Sequence, residues 1–254
     1  MSTIAIDVLH VSKSFTIHAR SDATMLSRMA DLMPSEKKRH TTRFIRALRD
    51  VSFQVEKGEV LGVIGKNASG KSSLLRMIAG ILYPDEGTVD VQGAITPLIS
   101  LNVGVKPRLT ITDNIFLACS LYGMPQGDIS STLDSIIEFA GIEEFVDMYP
   151  YQLSTGMGQR LAFSIAVHTN PEILLLDEVF SAGDMFFQER AAQRMTQLIQ
   201  GNVTVIMVSH SMERIESVCD KVLWLEKGKM REIGDPKTVI ENYVKDSQSK
   251  VLKV

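Results

Sequence analysis

Residues 65–72 read Gly-Lys-Asn-Ala-Ser-Gly-Lys-Ser, and no other segment restricts the possible folds so tightly. The run fits the pattern G-x-x-x-x-G-K-[ST] and stands between a continuous apolar strand, Val60 to Ile64, and a helical segment, Lys71 to Ala79. Gly65 and Gly70 let the backbone curl until successive N–H groups converge, and the positive end of the following helix adds to that anion nest. The loop is therefore expected to hold phosphate through Gly65, Asn67, Ser69, Gly70, Lys71, Ser72 and Ser73. Lys71 reaches the β- and γ-phosphates of a nucleotide, and the Ser72 hydroxyl ligates Mg²⁺.

A second run, Ile173-Leu174-Leu175-Leu176-Asp177-Glu178, is an apolar strand ending in two carboxylates. Downstream of a phosphate loop, Asp177 is expected to hold Mg²⁺ and Glu178 to polarise the attacking water. From here the pattern alternates: helix 185–199, strand 203–208, helix 212–218, strand 221–225. Such a βαβαβ series builds a parallel sheet with helical crossovers. The strands at 173 and 203 are apolar throughout, as strands covered on both faces must be. Earlier in the chain the pattern predicts strands at 3–9, 51–55 and within 87–101, and helices over most of 111–169.

At 254 residues with 44% hydrophobic and 22% charged residues, the chain can bury one sizeable core. The net charge of −3 gives no global reason to expect nucleic acid. Cys119 and Cys219 lie far apart without a C-x-x-C partner, so neither a disulfide framework nor a zinc site is expected. Asp7 interrupts the N-terminal apolar stretch, against a secretion signal, and no apolar run approaches the roughly 20 residues of a membrane span. Between His18 and Arg49 the pattern breaks into a polar stretch with eight basic residues against three acidic ones. Inside it Met25, Leu26, Met29, Leu32 and Met33 fall on one helical face that ends at Pro34.

Leu153-Ser154-Thr155-Gly156-Met157-Gly158-Gln159-Arg160 lies between the phosphate loop and the Asp177-Glu178 strand and opens a helix. It resembles the L-S-G-G-Q signature of the ATP-binding-cassette family, with Thr155 in place of a glycine and Met157 in place of the glutamine. Ser181-Ala182-Gly183-Asp184 is similar to that family's D-loop, His210 to its switch histidine, and Phe15 to the aromatic residue on which adenine stacks. The family's glutamine loop has no glutamine here: the corresponding stretch is Leu98-Ile99-Ser100-Leu101-Asn102-Val103-Gly104. The form of the signature and the basic insertion resemble exporters of cell-surface polysaccharides.

The resemblance implies an α/β cassette over residues 1–254 as a single domain. Its parts would be a mostly parallel sheet, an antiparallel β subdomain, a helical signature subdomain over about 105–170 and a basic insertion over about 18–46. It implies an ATPase with ATP and Mg²⁺ as cofactors, in which Glu178 positions the attacking water, His210 stabilises the γ-phosphate region, and Ser154 and Gly156 serve the site of a second copy. The implied partners are that second copy, integral-membrane transporter subunits, and a lipid-linked glycan or anionic membrane surface. Its implied place is the cytoplasmic face of the inner membrane, held through the membrane partner. The alternative is a soluble cassette ATPase acting on nucleic acid or the ribosome, and no nucleic acid partner is expected under the first reading.

Overall fold

The structure is a computed structural model that describes residues 4–18, 42–98, 106–177, 185–209 and 211–251. The helical face at 25–33, Ile99 to Gly104, Glu178, Ser181 to Asp184 and His210 lie outside the described residues.

Nine strands are described, in two sheets. β1 (Ile4–His18), β2 (Thr42–Glu56) and β4 (Glu86–Val91) make an antiparallel sheet in the order β2-β1-β4. β3 (Val60–Ile64), β5 (Ile95–Leu98), β6 (Ile173–Asp177), β7 (Thr204–Val208), β8 (Lys221–Glu226) and β9 (Lys229–Gly234) make the other, in the order β5-β6-β7-β3-β8-β9. Every pairing in that sheet is parallel except β8 with β9. Seven α-helices are described: α1 (Lys71–Ile78), α2 (Ile111–Leu121), α3 (Gln126–Ala140), α4 (Thr155–His168), α5 (Met185–Gln200), α6 (Met212–Val218) and α7 (Pro236–Val251). Among the described residues no helix is long and apolar enough to cross a membrane.

The period of two along the central strands explains the layering. Leu61 and Val63, Leu175, Ile206, and Leu223 and Leu225 face a core shared with the antiparallel sheet and α1. Val60 and Ile64, Leu174 and Leu176, Val205 and Met207, and Val222 and Trp224 face the opposite core, against α5, α7 and half of α4. Successive strand residues point to opposite faces, so a strand buried on both must be apolar throughout. A third core belongs to the helical unit, where Ile111, Ile115, Ile129, Ile136, Leu161 and Ile165 pack together.

Three stretches differ from the sequence-based expectation. β1 continues to His18 and β2 already begins at Thr42, so the two strands pair as a ribbon that takes in both ends of the polar stretch, with Phe15 opposite Ile45 and His18 opposite Thr42. A two-stranded ribbon exposed on both faces has no buried side to impose an apolar alternation, and the sequence pattern is blank there. β9 and α7 were likewise not predicted. β9 is an edge strand, and the mixed polarity of α7 follows from packing on the sheet with one side only.

Candidate functional site

β3 is buried along its whole length and delivers the chain to the C-terminal edge of the parallel sheet. There Gly65 takes φ 149°, and a β-carbon on it would lie 2.2 Å from the Leu225 carbonyl oxygen. Gly70 takes φ 110°, with the Ala47 carbonyl oxygen 2.5 Å from its own missing β-carbon. Ala68, between them, is also left-handed at φ 61°. The loop is held shut by Ser69 N–H donating to the Lys66 carbonyl at 3.1 Å and by Gly228 N–H donating to the Ser69 carbonyl at 2.9 Å. Neither Leu225 nor Gly228 was singled out from the sequence. The Lys227-Gly228 turn after a strand is readable, but its contact with the loop is tertiary.

α1 starts from this loop with no side-chain cap and no acidic residue in its first turn, which leaves its N-terminal N–H groups for an anion. Lys71 is 8% exposed, and its ammonium donates to the Gly65 carbonyl at 2.8 Å and the Lys66 carbonyl at 3.2 Å. The Ser69 Oγ is buried and has no hydrogen-bond partner. A buried hydroxyl without a partner costs about 1–3 kcal/mol. Together with two glycines whose side chains would fill the cradle and a cation across its mouth, this donor set fits a phosphate chain.

Asp177 closes β6 in register with Val208 of β7, and Val208 is in register with Val63 of β3. These strands run parallel, so Asp177, Ser209 and the phosphate loop all emerge at one sheet edge, where open α/β sheets bind ligands. Ser72, exposed on the first turn of α1, and Asp177 are oxygen donors suited to a hard divalent cation. Among the described residues no group of three or more His, Cys, Asp or Glu is placed to hold a metal ion. Mg²⁺ bound through one or two protein oxygens plus substrate phosphates needs no such group.

Phe15 lies on the ribbon and is 37% exposed, leaving ring surface for a base to stack on. The Lys13 ammonium is 5.9 Å from its ring centroid. Asp85 pins that arrangement, accepting from Lys13 Nζ at 2.6 Å and from the Ser14 N–H at 2.7 Å. The Lys13 hydrogen bond first, and the Ser14 N–H second, hold the Asp85 carboxyl below the usual carboxylate range. The Lys13–Asp85 pair was not foreseen, because 72 residues separate its members.

Ser154 is the N-cap of α4, its Oγ accepting from the Met157 N–H at 3.2 Å. The serine cap still has its O–H to donate. A β-carbon on Gly156 or Gly158 would meet nothing within 4 Å, so packing within the chain does not require either glycine. Just before the cap Tyr149 and Tyr151 stack with centroids 5.6 Å apart. The signature thus sits on the helical unit, apart from the sheet edge that carries the phosphate loop.

A buried strand, a glycine loop with its lysine, a helix, and an aspartate two strands away define a P-loop nucleotide-binding protein. The family model described as ABC transporter matches residues 48–181. The chain is 38% identical over 240 residues to the teichoic acids export ATP-binding protein TagH of Listeria innocua serovar 6a, covering 94% of this chain and 70% of that one. It is also 38% identical over 197 residues to the O-antigen export system ATP-binding protein RfbB of Klebsiella pneumoniae, covering 78% and 80%. In fold it is similar to the dimeric structure of a post-hydrolysis state of the ATP-binding cassette MJ0796 bound to ADP and Pi. That match has a TM-score of 0.71 at 21% identity, over 91% of this chain and 98% of that one. The chain belongs to the ABC transporter family, as one of its ATPase domains.

Proposed function

We propose that the chain is the ATP-binding and hydrolysing subunit of a membrane exporter of a cell-surface polysaccharide or lipid-linked glycan, and that two copies close head to tail around two ATP molecules. The observation that carries this reading is the division of the polar machinery between two packing units. Gly65 to Ser73 and Asp177 share one sheet edge, whereas Ser154 caps the end of α4 that packs into the helical core, beside glycines at which an added β-carbon would meet nothing within 4 Å. The names of the relatives, ATP-binding proteins of teichoic acid and O-antigen export systems, support the substrate class.

In this reading the loop from Gly65 to Ser73 wraps the phosphates, Lys71 neutralises the β- and γ-oxygens, and Phe15 stacks on adenine. Ser72 and Asp177 hold Mg²⁺, which supplies charge neutralisation at the transferring phosphoryl group. Glu178 orients the attacking water and His210 stabilises the γ-phosphate region. The Ser154 hydroxyl and the Gly156 backbone of one copy meet the γ-phosphate held by Lys71 of the other. ATP then favours the closed pair and hydrolysis releases it. That motion passes to integral-membrane subunits, which hold this subunit peripherally at the cytoplasmic face of the inner membrane. We assign the insertion at about 18–46 to the membrane side. Its basic run and its apolar Met25/Leu26/Met29/Leu32/Met33 face suit anionic headgroups or the pyrophosphate of a lipid carrier.

Mixing inactive Lys71→Ala chains with inactive Ser154→Arg chains tests the shared site. Each heterodimer holds one intact composite site and one doubly damaged site, so ATPase activity is expected to return in part. If heterodimers form and no activity returns, each site is contained within one chain and the proposal fails.

A further inference from the structure

α4 faces two cores at once. Leu161 and Ile165 pack into the helical unit, while Phe163, Ala166 and Val167 pack beneath the parallel sheet. Ser154 is its N-cap, so the tilt of this one helix decides where the signature points. α3 holds this helix from one side, the Ser164 Oγ donating to the Ile136 carbonyl at 2.6 Å, and α5 holds it from the other. Phe187 of α5 closes an aromatic triangle with Phe163 of α4 and Phe139 of α3, with centroids 5.8, 5.7 and 6.2 Å apart. Three residues on, the Arg190 guanidinium lies 5.5 Å from the Phe139 centroid and donates to the Glu138 carbonyl at 3.4 Å. One turn further, Arg194 donates from Nε and Nη2 to the Val167 carbonyl at 3.2 and 2.9 Å.

The spacing i, i+3, i+7 puts Phe187, Arg190 and Arg194 on one face of α5. Glu138 and Val167 lie in the last turns of α3 and α4, at the negative end of the helix dipole; the Glu138 carbonyl also accepts from the Gly141 N–H at 3.1 Å. Two arginines of a single helix therefore cap the C-terminal ends of both helices. α5 begins eight residues after Asp177, so it is tied to the carboxylate end of β6 by the chain itself. We propose that the Phe187/Arg190/Arg194 face of α5 is a positioning element that aligns the signature with the carboxylate end of β6, and so governs whether two copies close around ATP. The inference rests on the shared-site reading above.

The test uses the full chain carrying Glu178→Gln, to accumulate the ATP-bound pair, with and without Arg190→Met and Arg194→Met together. Methionine keeps the apolar stems and removes the donors. The ATP concentration for half-maximal dimer formation is expected to rise at least about tenfold, while ADP affinity of the monomer stays within about twofold. Arg194→Lys, which keeps the charge without the two-nitrogen fork, should fall between the two. Phe139→Leu opens the triangle from the helical side without touching α5, and should shift dimerisation in the same direction. Dimer formation at the parental ATP concentration in all these variants overturns the inference. So does an equal loss of ADP affinity and dimerisation accompanied by a lower melting temperature, which marks a merely structural role. If the Glu178→Gln parent itself stays monomeric in ATP, the shared-site reading falls and takes this one with it.

Discussion

Gly70 shows why the phosphate loop tolerates so little. Its φ of 110° is open to glycine, and the nearest atom to an added β-carbon would be a backbone carbonyl oxygen that cannot rotate away. Gly70→Ala is therefore expected to weaken ATP binding at least about tenfold and to destabilise the fold by about 1–3 kcal/mol. Nucleotide titration and thermal melting read the two effects separately, and parental values for both would refute the steric account. The glycine and the lysine were legible in the sequence because spacing alone defines the motif. The buried Ser69 hydroxyl and the Ala47 carbonyl were not: the first needs burial to be known, and the second needs a strand that starts earlier than the apolar pattern shows.

Among the elements, β3 and α6 meet more closely than any periodicity reveals. A β-carbon at Gly62 would come within 2.9 Å of the Cys219 Sγ and 3.0 Å of Ile215 Cγ2, so the glycine lets the crossover after α6 lie directly on the strand. Burial, reinforced by the Asp220 charge, pushes the Cys219 thiol up to about 12. A folded value raised above the ordinary one means stability that is present below the ordinary value and lost as pH climbs toward the folded one. The window here is therefore about pH 9 to 12, at no more than about 1.4 kcal/mol per pH unit for one thiol. Denaturant unfolding at steps from pH 8 to pH 11 should show a shallower decline in Cys219→Ala than in the parent, whatever its absolute stability. Equal slopes would mean that the thiol stays un-ionised in both states or is not buried in solution. The central strands themselves were legible, β3 to the residue, because strands covered on both faces leave unbroken apolar runs. β9 and α7 were hidden by one-sided burial, and the ribbon by having no buried side at all.

The whole molecule joins a nucleotide-binding sheet, a helical unit and a ribbon whose base lies against the phosphate loop. Gly70 and Gly228 both pack on the Ala47 carbonyl, and the Arg49 N–H donates to the Gly228 carbonyl at 2.8 Å. The insertion read from composition thus ends just before the residues that pack on the phosphate loop. Changing Lys37, Lys38, Arg39 and Arg43 together to Ala should leave ATP binding and basal ATPase of the isolated subunit nearly unchanged. Export, and stimulation by the membrane partner with lipid-linked substrate, should fall. Undiminished export with normal amounts of subunit would remove the insertion from the transport path.

The pairing of His18 with Thr42 has a consequence for how such a chain can diversify. β1 and β2 fasten the two ends of the intervening segment side by side, and for a flexible connection closed in this way each doubling of length costs only about 0.6 kcal/mol. On the proposed reading the ribbon works as a socket: the segment between His18 and Thr42 can be exchanged for a longer, shorter or differently charged one at little cost to the fold. A single ATP-driven engine could in this way acquire new cargo.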